Sequence, residues 1–241
     1  MKWVNVHDWP RTKAEAYEIQ DSRIDKVRLN GNNVEPELIC ALEGAYGYGG
    51  QSVYAAAVVL TYPDFKEVDR SLSFDTPTFP YIPGLFYFRE GPALIKALEG
   101  LKETPDVIMI TAHGIAHPRR CGLACHIGLD FDIPTIGCAR RLLFGKHRQV
   151  GVNRGSSQPV VHRGEQIGLA YRSKDEVKPI FVSPGHRCDL TYATNVVVSG
   201  LRGYRLPEPL RVAHLLANKH KRIMEGKNNK KAKPEEVDSA G

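Results

Sequence analysis

The chain has 241 residues, 42% hydrophobic and 25% charged, which suits a soluble globular protein with one sizeable core. Its apolar stretches, such as Val53 to Leu60, fall far short of the roughly 20 residues needed to span a bilayer, and Met1-Lys2-Trp3 is followed by polar residues, so a cytoplasmic protein with no membrane partner is expected. Five cysteines, odd in number and without a CxxC pair, argue against a disulfide framework or structural zinc, and a net charge of +6 favours a polyanionic partner without specifying one.

The chain opens with a polar segment of helical character. Leu38 to Leu42 is an apolar run between Pro36 and Gly44, suited to a buried strand with Glu43 at its end. Gly47-Tyr48-Gly49-Gly50 then reads as a hairpin connection to a second, antiparallel strand over Val53 to Leu60. The stretch Pro77 to Pro83 carries three prolines in seven residues, which imposes an extended loop that presents Tyr81. Beyond Gly84, the spacing of Leu85, Phe88, Ala93, Leu94, Ala97, Leu98 and Leu101 predicts a helix that Gly91-Pro92 interrupts or restarts.

Asp106 to Ile110 has the appearance of a strand covered on both faces, with Thr111 to Gly114 at its tip. Gly122 to Leu129 is expected to be helical, Pro134 to Gly137 a short strand and Lys178 to Val182 another, ended by a Ser183-Pro184-Gly185 turn. Leu190 to Leu201 forms a closing helix. An early hairpin followed by alternating helices and strands predicts an α/β fold with a mixed sheet flanked by helices, in a single domain without internal repeats. Lys219 to Lys233 is dense in Lys, Asn and Arg and passes into Pro234-Glu235-Glu236, which reads as a solvated, disordered tail. The domain is therefore placed at 1–218 and the basic tail at 219–241.

Strand ends in an open α/β sheet gather polar groups into one crevice. Glu43 ends the first strand, Glu90 lies at the start of the helix after the proline-rich loop, and His113 with His117 follows the central strand, so these are the candidates. Taken singly, each has a bland reading: a glutamate beside a glycine is commonly a solvated turn residue, Glu90 suits a helix start, and His117-Pro118-Arg119-Arg120 suits a basic surface turn.

Longer strings change the odds. Pro80-Tyr81-Ile82-Pro83-Gly84 with Phe88-Arg89-Glu90, and Gly114-Ile115-Ala116-His117-Pro118-Arg119, resemble the corresponding motifs of the endonuclease V family. Pro134 to Arg140, Val182 to His186 and Arg205 to His214 are similar to further family segments and follow in the family's order. The resemblance implies a ribonuclease H-like fold. It also implies hydrolysis of a phosphodiester near a deaminated base, chiefly hypoxanthine in deoxyinosine or inosine, in DNA or RNA, assisted by Mg2+ or Mn2+; the setting is DNA repair and a monomer is the expected state.

Carried over residue by residue, Glu90 matches the family's glutamate ligand and His214 its histidine near the C-terminus. Glu43 and Thr111 stand where the family carries aspartates. Glu43, Glu90, Thr111 and His214 are thus the expected catalytic and metal-ligating set. Tyr81, with Pro83 and Gly84, matches the loop that wedges beside the lesion, Gly114 and the following amides the base pocket, and His117 and Arg119 the adjoining core motif. Arg140 replaces the usual lysine at a phosphate contact, exchanging a compact ammonium for a planar fork. A neutral hydroxyl at Thr111 lowers the charge available for two cations. Two readings stay open: a nuclease with a remodelled metal site, and a homologue that binds damaged or inosine-containing nucleic acid without cutting it.

Overall fold

The computed structural model describes residues 1–4, 7–31 and 34–231. Helix α1 spans Lys13–Ile24 and is closed at its start by a capping box, in which the Thr12 hydroxyl accepts from Glu15 N and the Glu15 carboxylate accepts from Thr12 N. Strands β1 (Leu38–Tyr46) and β2 (Val53–Thr61) form the expected antiparallel hairpin. Glu43 is not at the strand end, however. Pairing continues from Leu38–Thr61 to Tyr46–Val53, so Glu43 lies inside β1 opposite Ala56.

A third strand, β3 (Glu67–Asp75), was not anticipated; it alternates exposed and half-buried residues on the sheet edge and carries too little apolar signal. Helix α2 covers Phe86–Glu99 without a break at Gly91-Pro92. Burial of Ala93, Leu94, Ile95, Ala97 and Leu98 against the sheet outweighs the backbone bond that Pro92 forfeits. Strand β4 (Val107–Ile110), helix α3 (Leu123–Phe131) and strand β5 (Thr135–Ala139) follow as expected.

A second unanticipated hairpin, β6 (Ser157–His162) and β7 (Glu165–Tyr171), extends the sheet. Strand β8 runs Ile180–His186, so Ser183-Pro184-Gly185 continues the strand instead of turning it. Pro184 is accommodated where the β5 register shifts between Thr135 and Ile136, a bulge that needs no donor from the imino nitrogen. Helices α4 (Leu190–Ser199) and α5 (Glu208–Lys231) close the fold. Of the tail expected at 219–241, residues 219–231 continue α5 and 232–241 lie outside the described residues. Buried Ala213 and Ala217, the Tyr54–His220 ring contact at 5.5 Å and a Tyr48 N to Glu225 bond of 2.6 Å dock that helix on the first hairpin, which composition alone does not reveal.

The result is one eight-stranded mixed sheet in the order β3-β2-β1-β4-β5-β8-β7-β6, parallel at β1–β4–β5 and antiparallel elsewhere. Alternation along β1 splits the core: Cys40 and Leu42 face α2 and α3, whereas Ile39 and Ala41 face α4 and α5. No described helix is long and apolar enough to cross a membrane.

Ile108, fully buried at the centre of this sheet, tests where stability resides. Ile108→Ala is expected to cost about 2–5 kcal/mol in denaturant unfolding, while Leu72→Ala on the edge strand, where the side chain is 43% exposed, should cost less than about 1 kcal/mol.

Candidate active site

The parallel pairing of Leu42 with Ile110 sets Glu43 and Thr111 next to each other at the carboxyl end of the central strands. Glu43 points to the α5 side of the sheet, where its Oε1 lies 2.9 Å from His214 Nδ1. Arg140, just past the end of β5, places one guanidinium nitrogen 3.4 Å from the same oxygen and 3.1 Å from His214 Nδ1. The guanidinium only donates and the carboxylate only accepts. A single imidazole nitrogen therefore satisfies one of these neighbours at a time.

Glu90 approaches from the opposite face. Gly44, the next residue along β1, faces it: a Cβ there would make ordinary van der Waals contact with Glu90 Oε2 at 3.5 Å. Tyr46 donates to Glu90 Oε1 at 2.7 Å, and Arg89 caps the Tyr46 ring at 5.5 Å. Burial, together with the charge of Glu43, pushes the Glu90 carboxyl up to about 7 despite the Tyr46 bond. Arg89 also donates to Phe79 O at 2.6 Å and Gly50 O at 2.5 Å, so it ties the proline-rich loop and the first hairpin turn to the base of α2.

A cavity of about 690 Å³ opens in front of Glu90, lined among others by Tyr81, Gly84, Thr111, His117 and Arg140, with Glu43 and His214 outside its lining. Tyr81 is 59% exposed and packs its ring 5.0 Å from Phe86. Gly84 adopts φ +85°, and its carbonyl accepts from His117 Nε2 at 2.9 Å and from Gln20 Nε2 at 3.2 Å. Since Nε2 donates there, His117 Nδ1 is free to accept from Arg119 N at 3.2 Å. Burial drives the His117 imidazole down to about 4, so it is neutral at physiological pH.

Not every expected residue faces the cavity. Arg119 turns toward α1, where it pairs with Asp21 and lies 4.5 Å over the Tyr17 ring. Pro83 is exposed on the loop outside the lining. Gly114 serves a close approach: its amide donates to Ser183 Oγ at 2.8 Å, and a Cβ would fall 1.9 Å from Pro184 O. Ile115 N is likewise bonded to Pro184 O at 2.9 Å, so these amides hold the loop on β8 and do not open into a pocket. Residues not singled out in the sequence also line the cavity, including Tyr46, Gln20, His126, Arg141 and Leu142. The Arg140-Arg141 doublet was a visible signal; the two α-helical residues Gln20 and His126 carried none.

Whether these donors suit a divalent cation is decided by their chemistry. Glu43 Oε2 and Thr111 Oγ1 are both buried without a hydrogen-bond partner, and hard cations take such oxygens. Among the described residues, however, no three His, Cys, Asp or Glu side chains are assembled as a metal-binding group. The two unpartnered oxygens would suit one hard cation, with the Arg140 guanidinium standing 3.4 Å from Glu43 Oε1.

A central mixed sheet in this strand order, with the Glu43 carboxylate on β1 beside the end of β4, is of the ribonuclease H-like class. The sequence pattern of Endonuclease V matches residues 22–215, and the chain belongs to the endonuclease V family. It is 43% identical to an endonuclease V of Methanothrix thermoacetophila, over 92% of this chain and 98% of that one. Among solved structures, the endonuclease V of Streptomyces avermitilis superposes with a TM-score of 0.84 at 36% identity, covering 91% of this chain and 96% of its own. An endonuclease V of Ciona intestinalis, in complex with a 23mer DNA containing an inosine followed by a ribo-adenosine, shares the fold with a TM-score of 0.76 at 24% identity, over 88% and 97% of the two chains.

The neutral, buried His117 makes a pH prediction. Its folded value of about 4 lies below the ordinary 6.5, so the unfolded chain takes up the proton first, and stability present above pH 6.5 is lost as pH falls toward 4. Thermal midpoints of the parent should drop between pH 7 and pH 5, and His117→Asn should show a shallower drop; parallel curves would contradict the assignment. His126, also held neutral by burial, leaves a residual slope of the same sign.

Proposed function

We propose that this protein engages DNA or RNA at a deaminated base, deoxyinosine or inosine, and hydrolyses a nearby phosphodiester. The observation that carries this reading is the meeting of Tyr81, Glu90, Thr111, His117 and Arg140, which come from five separate chain segments, around one cavity of about 690 Å³. That volume falls in the range of small-ligand pockets, and an exposed aromatic on a proline-stiffened loop suits stacking where a base has been displaced. The inosine-containing DNA held by the Ciona intestinalis relative is consistent with this substrate class.

In this reading Tyr81 fills the gap in the base stack, and the Gly84–His117 bond keeps its loop at a fixed distance from Glu90. Arg140 and Arg141 supply positive charge for the phosphate at the cavity wall. Glu43, Glu90, Thr111 and His214 would hold Mg2+ or Mn2+, which when bound supplies charge neutralisation at the phosphate and a more acidic water. Glu90, raised to about 7, holds or releases a proton near neutral pH, and Tyr46 orients it by donating to Oε1.

A second reading, binding without cutting, is favoured by a specific pair of observations: Thr111 contributes no charge, and Arg140 already contacts both Glu43 and His214. Labelled inosine-containing DNA and RNA, incubated with Mg2+ and then Mn2+, separates the two. Cleavage by the parent that drops by at least about 100-fold in Glu90→Ala is the expected result; lesion-dependent binding with no cleavage under either metal would leave only the second reading, and Glu43→Asp with Thr111→Asp would then be expected to restore cutting. Tyr81→Ala should weaken lesion binding, measured by fluorescence anisotropy with chelator present, by about 1–3 kcal/mol, the worth of one stacked base.

A further inference from the structure

We propose that Arg140 latches the metal-ligating end of the site in the free protein, and that a nucleic-acid phosphate opens it by drawing the guanidinium off Glu43 and His214. Divalent cation and nucleic acid then bind cooperatively. This rests on the nucleic-acid reading given above, and deepens it.

Three features of the site carry the inference. First, the guanidinium sits against both ligands, at 3.4 Å from Glu43 Oε1 and 3.1 Å from His214 Nδ1. A divalent cation reaching Glu43 would meet a fixed positive charge at contact distance, so cation and guanidinium compete for one carboxylate. Second, the latch is loose. Charge-assisted bonds close at about 2.7–2.9 Å, and both contacts exceed that, while the Arg140 side chain is 37% exposed and lines the cavity. Third, the guanidinium is under-used: Arg140 Nε is buried with no partner. A phosphate offers two acceptor oxygens in the geometry of the guanidinium fork, which Glu43 does not provide from where it stands.

Withdrawal of Arg140 leaves the Glu43 carboxylate with an already unpartnered Oε2 beside the unpartnered Thr111 hydroxyl, and it removes the guanidinium from His214 Nδ1, which keeps its contact with Glu43. The cation ligands are thus completed by a movement that substrate binding drives. Because the coupling is a free energy between two sites, it is reciprocal: the cation must tighten nucleic acid by the factor by which nucleic acid tightens the cation.

Mn2+ binding, followed by electron paramagnetic resonance of the free ion, tests this on the parent, Arg140→Ala and Arg140→Lys. Each is titrated alone and with a phosphorothioate-protected inosine-containing DNA oligonucleotide, with DNA-only blanks subtracted. The parent is expected to bind Mn2+ weakly alone and about 10-fold or more tightly with DNA, within the usual range of such couplings. Arg140→Ala should bind Mn2+ tightly without DNA and gain nothing from it; should that variant fail to fold, Arg140→Lys carries the same comparison through its shorter, unforked side chain. Equal Mn2+ affinity in the parent and the variant, or no change in the parent when DNA is bound, overturns the latch. Anisotropy of the same oligonucleotide in chelator separates the two ideas: DNA that binds without altering Mn2+ affinity defeats the latch alone, and DNA that fails to bind defeats the nucleic-acid reading, while the DNA-free comparison of the parent with Arg140→Ala still decides whether Arg140 excludes the ion.

Discussion

The parallel pairing of β1 with β4 is the constraint on which the rest depends. Its register puts Leu42 beside Ile110, and with that the next residues, Glu43 and Thr111, are neighbours whatever the loops do. It also decides which face each side chain of β1 serves. Leu42 and Gly44 belong to the α2 side, and Glu43 to the α5 side. Glu90 and His214 therefore reach the same strand end from opposite faces of the sheet. Gly44 faces Glu90 on the α2 side, within van der Waals reach of the carboxylate that Tyr46 orients.

Around that strand end, the motif strings divide between scaffold and site. Arg89, in the middle of Phe-Arg-Glu, binds two backbone carbonyls and anchors the loop that carries Tyr81. Gly114 and Ile115 spend their amides on Ser183 and Pro184, which pins the His113–His117 loop to β8. Buried backbone groups have to be satisfied somewhere, and here they are satisfied within the fold, leaving the cavity walls to side chains such as His117, Arg140 and Arg141.

Much of this is legible in the sequence. The hairpin, the buried strand at 107–110, the helix after the proline-rich loop and the assembly of Tyr81, Glu90, Thr111 and His117 follow from apolar runs, turn residues and the family motifs. What escaped had physical reasons. Strands β3 and β6 are partly exposed and polar, so their alternation is faint, and β7 follows β6 directly across a short turn. Residues 219–231 look disordered by composition, yet Ala213, Ala217 and His220 continue a packed helical stripe, and Glu225 caps the turn at Tyr48. Pro92 and Pro184 were read as breaks because their local cost is real; tertiary packing and a bulge absorbed it. The Arg140 contacts with Glu43 and His214 span 97 and 74 residues, and no local pattern announces them.

The charge at the centre follows from these particulars. With Thr111 neutral, the α5 side of the site holds one carboxylate, Glu43, and a guanidinium beside it. The pair is close to self-neutral, which accommodates Glu43 at 5% exposure. On the other face, burial and the charge of Glu43 push the Glu90 carboxyl up, against the Tyr46 hydrogen bond and the Arg89 charge. A cation entering the site would have to displace the guanidinium from one carboxylate and the proton from the other. Phosphate supplies the first displacement, because it is a better acceptor for the fork than Glu43 is at 3.4 Å. With Thr111 neutral, Arg140 is the positive charge beside Glu43, and in the proposed latch this ties the assembly of the centre to the arrival of a polyanion.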